Sequence, residues 1–364
     1  MNLDDLELFR RLDADHLIDL INGLPEQLEA AWALGQTLAL PADMGKVERV
    51  AICGMGGSAI SGEMLAALLE DSCPAPIMVV RDYTLPAWAA GPSTLVVALS
   101  HSGMTEETLS AAAQAIERGA KLLAITTGGD LASMVEAAGG TVWRYQFAGM
   151  PRAALGWIYG LLLAAFSRMG LAPDLAADVA ESVERMWRAQ EQFVPEKIAA
   201  LNPPKRYAGQ LVDCIPVIWG AGLLAPVARR WKTQINENAK SSAFFDLLPE
   251  LDHNTVVGIE SPTEILRKHK YQIIQLLSPR YDHPRVALRH QMTLELFREQ
   301  AIITDTVKAR GESRLANQMS LVQFGDYVSY YLAMAYEVDP SPIGPIMMLK
   351  EKMGSSGGKS ARIG

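Results

Sequence analysis

The sequence predicts an α/β protein of two similar domains, each a parallel sheet flanked by helices, with a helical segment at the N-terminus. Three observations predict it. Short apolar runs alternate with stretches of helical periodicity over most of the chain, a pattern that implies parallel strands covered by helices on both faces. A weak repeat sets Ile52, Gly54 and the glycine turn that follows against Ile218, Gly220 and Gly222, 166 residues later. The length, 364 residues, is enough for two ordinary domains with sizeable cores.

Taken in order, Leu6, Phe9, Leu12, Leu17, Leu20 and Ile21 recur at roughly helical spacing and predict helices within 1–45. That stretch carries nine acidic residues against Arg10 and Arg11, the opposite sign from a DNA-reading helical head. Residues 46–170 form the first predicted domain. Its strands fall at 48–53, 77–80, 94–100, 121–126 and 141–146, and its helices at 56–70, 105–118 and 151–166. A charged helix and Asn202-Pro203-Pro204 make 171–204 a connecting segment. The second domain, 205–353, opens on VIWGAGLLAPVARRW, has strand candidates at 255–260, 272–278 and 301–307, and closes with a long helix over 315–337. Residues 354–364, with four Gly and three Ser, are expected to be a mobile tail.

Composition narrows the function classes. Hydrophobic residues at 49% and charged residues at 20% exclude disorder over most of the chain. A formal charge of -8 argues against a general nucleic-acid binder while leaving room for a local basic pocket for a small anion. Cys53, Cys73 and Cys214 fit neither a zinc site nor a disulfide framework, which suits a reducing cytosol. The N-terminus lacks an apolar signal core, and no apolar run reaches the roughly 18 residues of a membrane span. A soluble cytoplasmic enzyme is the expectation.

Two turns could carry chemistry. Gly54-Met55-Gly56-Gly57-Ser58-Ala59 lies between a predicted strand and helix, where small residues let the backbone and helix amides approach an anion. It also matches the loose dinucleotide fingerprint, but the acid that a nicotinamide cofactor requires falls too late, at Arg81-Asp82. Ser100-His101-Ser102-Gly103-Met104-Thr105 offers three hydroxyls before the next helix, with Thr105 placed to cap it. Hydroxyls and unpaired amides beside a second glycine turn suit a phosphate dianion.

CGMGGSAISGEML and SHSGMTEETLSAA together resemble the sugar isomerase (SIS) domain. PRAALGW (151–157), WKTQINENAKSSAFFDLLPELDHNTVVG (231–258) and DPSPIGPIMMLK (339–350) extend the resemblance to the bifunctional phosphoglucose/phosphomannose isomerase family over roughly 45–353. The resemblance implies two SIS domains, no cofactor, no metal, and a homodimer. It implies that Gly56, Gly57, Ser58, Ser100, Ser102 and Thr105 hold the substrate phosphate. It makes Glu237 the catalytic base, Arg152 the stabiliser of enediolate charge, Lys350 a cation over the sugar ring, and His253 a ring-opening group supplied by the other subunit.

One carboxylate can move a proton between C2 and C1 without a metal, so the implied chemistry is coherent. The sequence departs from the family pattern at Met104, where asparagine is usual. It departs again before Lys350, with Ser341 and Ile343 where family members often carry a threonine implicated in mannose phosphate use, so the resemblance carries the glucose phosphate activity further than the mannose one. A rival reading is a non-catalytic phosphosugar-binding SIS sensor, which would have no need of Glu237, Arg152 and His253 together. GSSGGKS near the C-terminus looks like a nucleotide P-loop, but Met353 occupies its first glycine position and no strand precedes it.

Overall fold

The structure, a computed structural model, describes residues 2–262, 266 and 271–356. Three helices, α1 (Leu6–Leu12), α2 (Leu17–Asn22) and α3 (Leu24–Thr37), come first. A five-stranded sheet follows: β1 (Arg49–Gly54), β2 (Ile77–Val80), β3 (Thr94–Ser100), β4 (Lys121–Thr126) and β5 (Thr141–Arg144), in spatial order β2-β1-β3-β4-β5 with every pair parallel. Its helices are α4 (Gly56–Leu68), α5 (Glu106–Glu117), α6 (Gly129–Ala137) and α7 (Leu155–Arg168). β3 is buried along its whole length, and ALS at its end delivers Ser100 to the C-terminal edge of the sheet.

Two helices connect the halves, α8 (Ala176–Phe193) and α9 (Pro203–Leu211). Asn202-Pro203-Pro204, read as part of a connector, is the start of α9. The Asn202 side chain accepts from the Lys205 amide at 3.0 Å, and proline fits the first helical turn, where its missing N–H would find no intrahelical partner. The second sheet has β6 (Ile215–Ala221), β7 (Phe244–Leu248), β8 (Tyr271–Leu277) and β9 (Ile303–Lys308), in order β7-β6-β8-β9, again all parallel. α10 (Ala225–Asn238), α11 (Pro284–Glu299), α12 (Arg314–Ala335) and α13 (Gly344–Ser356) complete the chain.

One strand prediction fails. The 255–260 run is a 3-10 turn, Thr255–Ile259, and the edge strand beside β6 is Phe244–Leu248. Phe244 is exposed and Asp246 stands mid-strand, so this edge lacks the apolar signature that the Thr-Val-Val-Gly-Ile run displays. With β7 and β8 flanking β6, that run has no place beside β6; Val256 and Ile259 instead pack on the outer core of the second sheet. The expected tail is helical as far as Ser356, and its remainder lies outside the described residues.

The N-terminal helices reach both halves: α3 lies along α7, while Phe9 of α1 meets Tyr330 edge-on and Asn22 of α2 accepts from the Tyr327 hydroxyl, both on α12. The closeness of α3 and α7 depends on small residues. A Cβ on Gly160 would stand 2.7 Å from the Ala31 Cβ and 3.0 Å from the Leu28 carbonyl, and one on Gly156 would stand 2.6 Å from the Gln27 Cβ. Alanine is the better helix former by about 1 kcal/mol, yet Gly160→Ala should destabilise the protein by about 1–3 kcal/mol through overpacking. Thermal unfolding of the variant checks the sign.

Candidate active site

The first half supplies two turns at the C-terminal edge of its sheet. After β1, Gly56 adopts φ +51° and opens α4, whose N-cap residue Met55 makes no side-chain capping bond. Gly57 faces the Pro151–Ala153 3-10 turn, with the Pro151 carbonyl and Arg152 Cα each 3.7 Å from where its Cβ would be. After β3, the Ser100 hydroxyl accepts from the Gly103 amide at 3.1 Å and lies 2.9 Å from Thr105 Oγ1, while Ser102 Oγ accepts from the Met104 amide at 3.2 Å. Gly103, at φ +68°, admits no side chain: a Cβ would fall 1.9 Å from the Gly128 carbonyl oxygen. Thr105 does occupy the N-cap of α5, but its hydroxyl turns to Ser100 and makes no capping bond. Glu106 and Glu107 follow in the first turn, and Glu106 accepts from the Tyr83 hydroxyl at 3.2 Å. Met104 is exposed.

His101, inside the serine turn, is pinned by its neighbours. Its Nδ1 lies 2.9 Å from the Tyr145 hydroxyl, and Phe147 meets its ring edge-on at 5.9 Å. Burial pushes its pKa down. The loop is thereby anchored from behind while its hydroxyls remain at the sheet edge.

The second half supplies the carboxylate. Glu237 lies in the last turn of α10, a helix continuing through the segment WKTQINEN; the polar run Asn236-Glu237-Asn238-Ala239-Lys240, which by residue type alone also suits an ordinary surface turn, is therefore a helix end. Arg152 is buried and reaches across from the first half. Its Nε donates to Asn238 Oδ1 at 2.7 Å, and its Nη2 donates to the Pro340 and Ser341 carbonyls at 2.8 and 2.9 Å. Nη1 is left facing Glu237 Oε2 at 3.9 Å, with the carboxylate 27% exposed against 4% for the guanidinium. Burial lowers the Arg152 pKa, opposed by the Glu237 and Asp339 charges. At 3.9 Å the pair is too long for a direct hydrogen bond, so the inner nitrogens are committed to protein and Nη1 keeps donors to offer.

A second polar layer holds this arrangement. Arg230 donates to both oxygens of Asp326, at 3.0 and 2.6 Å, and to the Arg152 carbonyl at 3.2 Å. Gln234 donates to Asp326 at 3.1 Å, and Asn238 Nδ2 donates to Ser329 Oγ at 2.9 Å. Sequence reasoning saw Asn238 only as an amide flanking Glu237, and missed Arg230 and Asp326. The only signal was polar residues at helical spacing on the buried sides of α10 and α12.

His253 and Lys350 stand apart. His253 is exposed at the end of a 3-10 turn, Glu250–His253, whose Asp252 is tied to α11 through Arg289 at 2.9 Å and Thr293 at 2.8 Å. Lys350 is exposed on α13. Among the described residues neither one makes a hydrogen bond or ion pair with Arg152 or Glu237. A cavity of 670 Å³ between β2 and β7, lined by Glu63, Arg229, Phe245 and Ile77, includes none of the predicted site residues.

A curated bifunctional phosphoglucose/phosphomannose isomerase from Caldicellulosiruptor bescii is 39% identical over 93% of this chain and 98% of its own length. The chain belongs to the bifunctional phosphoglucose/phosphomannose isomerase family. Another member, from Aquifex aeolicus, is 35% identical over 85% of the chain and 92% of its own length. Residues 44–138 match the SIS domain, and 200–353 match the bacterial phospho-glucose isomerase C-terminal SIS domain. The fold is shared with a glucose-6-phosphate isomerase like protein from Thermus thermophilus (TM-score 0.64, 19% identity, 96% of this chain and 99% of that one). It is shared too with a tagatose-6-phosphate ketose/aldose isomerase from Escherichia coli (TM-score 0.67, 14% identity, 88% and 93% coverage). The chain is therefore a sugar-phosphate isomerase of two SIS-type domains.

In this isomerase the Arg230–Asp326 pair is buried on both sides, at 2% and 5% exposure. Asp326→Ala leaves an unpaired buried cation, so urea unfolding should show a loss of about 3–5 kcal/mol. Replacing both partners, Arg230→Met with Asp326→Leu, should recover most of that loss.

Proposed function

We propose that the protein interconverts glucose 6-phosphate, mannose 6-phosphate and fructose 6-phosphate through an enediol(ate), with Glu237 as the base. The observation that carries this is the half-buried Glu237 carboxylate facing Arg152 Nη1 across 3.9 Å, beside the glycine turn of α4. Glu237 takes the proton from C2 of the aldose and returns it to C1, and the reverse reaction runs through the same atoms. Arg152 Nη1 donates to the enediolate oxygen as charge develops there, from a guanidinium already fixed by three other hydrogen bonds.

The phosphate is held by Gly56, Gly57, Ser58, Ser100, Ser102 and Thr105. The two helix starts contribute amides, and the clustered hydroxyls of Ser100 and Thr105 reorient toward phosphate oxygens. Ser100→Ala with Ser102→Ala should weaken fructose 6-phosphate binding by about 1–3 kcal/mol, read by calorimetry. Ser341, whose carbonyl accepts from Arg152, departs from the family's threonine, so the mannose activity rests on the family membership and not on this residue.

A homodimer completes the site. His253 lies on the exposed turn after β7, and α13 carries Lys350 among Ile346, Met347, Met348 and Leu349, all exposed in the single chain. An apolar stripe of this kind seeks a partner, and a second copy brings its own His253 to open the sugar ring while Lys350 lies over it. Three free cysteines support a cytoplasmic location.

Glu237→Gln keeps shape and polarity, so turnover should fall roughly 10²-fold or more while substrate still binds. A coupled assay with each aldose phosphate measures it, and binding without turnover in the wild type would favour the sensor reading. Mixed with His253→Ala chains, Glu237→Gln chains should regain activity. About half of randomly paired dimers are hybrids with one intact site each, which sets a ceiling of about a quarter of wild-type activity. Hybrids seen by mass spectrometry without activity would remove His253 from the partner's site.

A further inference from the structure

Lys240 closes the Asn236–Lys240 stretch and has no role in the reaction as described. Its backbone lies at φ +55°, one residue beyond the C-cap Ala239 of α10. Glycine is the common occupant there, because a Cβ crowds the following carbonyl in the left-handed region. His16, Asp213, Ala301 and Glu337 also adopt positive φ, so the backbone alone does not single Lys240 out. The side chain does. Its ammonium donates to the Glu237 carbonyl and, at 2.9 Å, to the Pro340 carbonyl.

The Pro340 carbonyl is the same oxygen that accepts from Arg152 Nη2 at 2.8 Å. Two cations therefore converge on one acceptor. Arg152 grips the end of α10 through the Asn238 side chain, and Lys240 grips it through the Glu237 backbone. A cation at a helix C-terminus is favourable, since the last carbonyls have no intrahelical donors. The proximity of the two cations is not. Burial and the Arg152 charge push the Lys240 pKa down to about 8, against the pull of Asp339 and Glu237. The arrangement persists because two carbonyls, 103 residues apart in sequence, are tied through one nitrogen.

We propose that Lys240 is a positioning residue: by joining the Glu237 carbonyl to the Pro340 carbonyl it locks the end of α10 onto the 339–341 segment, and so sets where the Glu237 carboxylate stands relative to Arg152. The inference rests on Glu237 being the base. Both acceptors of the Lys240 ammonium are main-chain carbonyls. Its effect passes through the height and direction of the last turn of α10, and small misplacements of a catalytic group cost large factors in rate.

The test compares Lys240→Gly, Lys240→Arg and Glu237→Gln with wild type in kcat, KM for fructose 6-phosphate and thermal midpoint. Glycine suits the left-handed backbone, so Lys240→Gly should keep or raise the midpoint. Its kcat should nevertheless fall about tenfold or more, with KM within about threefold because the phosphate turns are untouched. Lys240→Arg keeps a cationic donor and should recover part of the lost kcat. A Lys240→Gly enzyme with wild-type kcat overturns the inference, and so does one that loses midpoint and kcat together without rescue by arginine. If Glu237→Gln turns over normally, the assignment of the base fails instead, and Lys240 has nothing to position.

Discussion

The site depends on one buried cation. Arg152 sits on a turn of the first half, yet every hydrogen bond of its guanidinium goes to the second half or to the segment before α13. Taking such a charge out of water costs several kcal/mol unless its donors are met. Asn238 and two carbonyls meet them only when the halves are docked and the 339–341 segment is drawn in. Folding of the second half therefore completes the environment of a residue in the first, and places Glu237 beside it in the same act.

The two halves share a plan that serves them unequally. α4 and α10 pack with the start of one near the end of the other, and Glu63 pairs with Arg229 across them at 3.2 Å. A glycine at positive φ stands at the start of each, Gly56 as the first residue of α4 and Gly222 in the turn before α10. At the end of α10, Arg152 approaches Glu237; at the end of α4, Arg314 bonds Asp71 at 3.0 Å and the Ala67 and Leu68 carbonyls. The chemistry diverges at the turns. Gly57 and Ser58 follow Gly56, whereas Leu223 and Leu224 follow Gly222 and are buried. The first turn leaves Gly56 exposed, and the second is filled by core.

α12 joins the halves from within. The Gln318 amide donates to the Met64 carbonyl of α4 and the Leu223 carbonyl beside α10, at 3.0 and 3.1 Å, while its oxygen accepts from Tyr159 at 2.6 Å. Trp231 donates to the Leu321 carbonyl at 2.8 Å over Gly325, where any Cβ would strike its ring. These polar bonds fix the relative placement of two helices that apolar contact alone would leave free to slide, because a buried amide tolerates no loss of its partners.

The sequence by itself determined the fold class, most strands of both sheets, and the two turns at the first sheet's edge, since these are written in local periodicity and in glycines whose φ only small residues accept. It also carried the family, through motifs spread along the chain. β7 was hidden because an edge strand needs only partial burial, and Asp246 broke its apolar run. Arg152 and Glu237 were legible as residues, but not their setting: Asn238, the Pro340 carbonyl, Lys240, and the Arg230–Asp326 pair behind them. Those partners lie far apart in sequence, and a hydrogen bond between distant segments leaves no periodic trace. Only the docking of the two halves brings the donors of a buried cation to their acceptors.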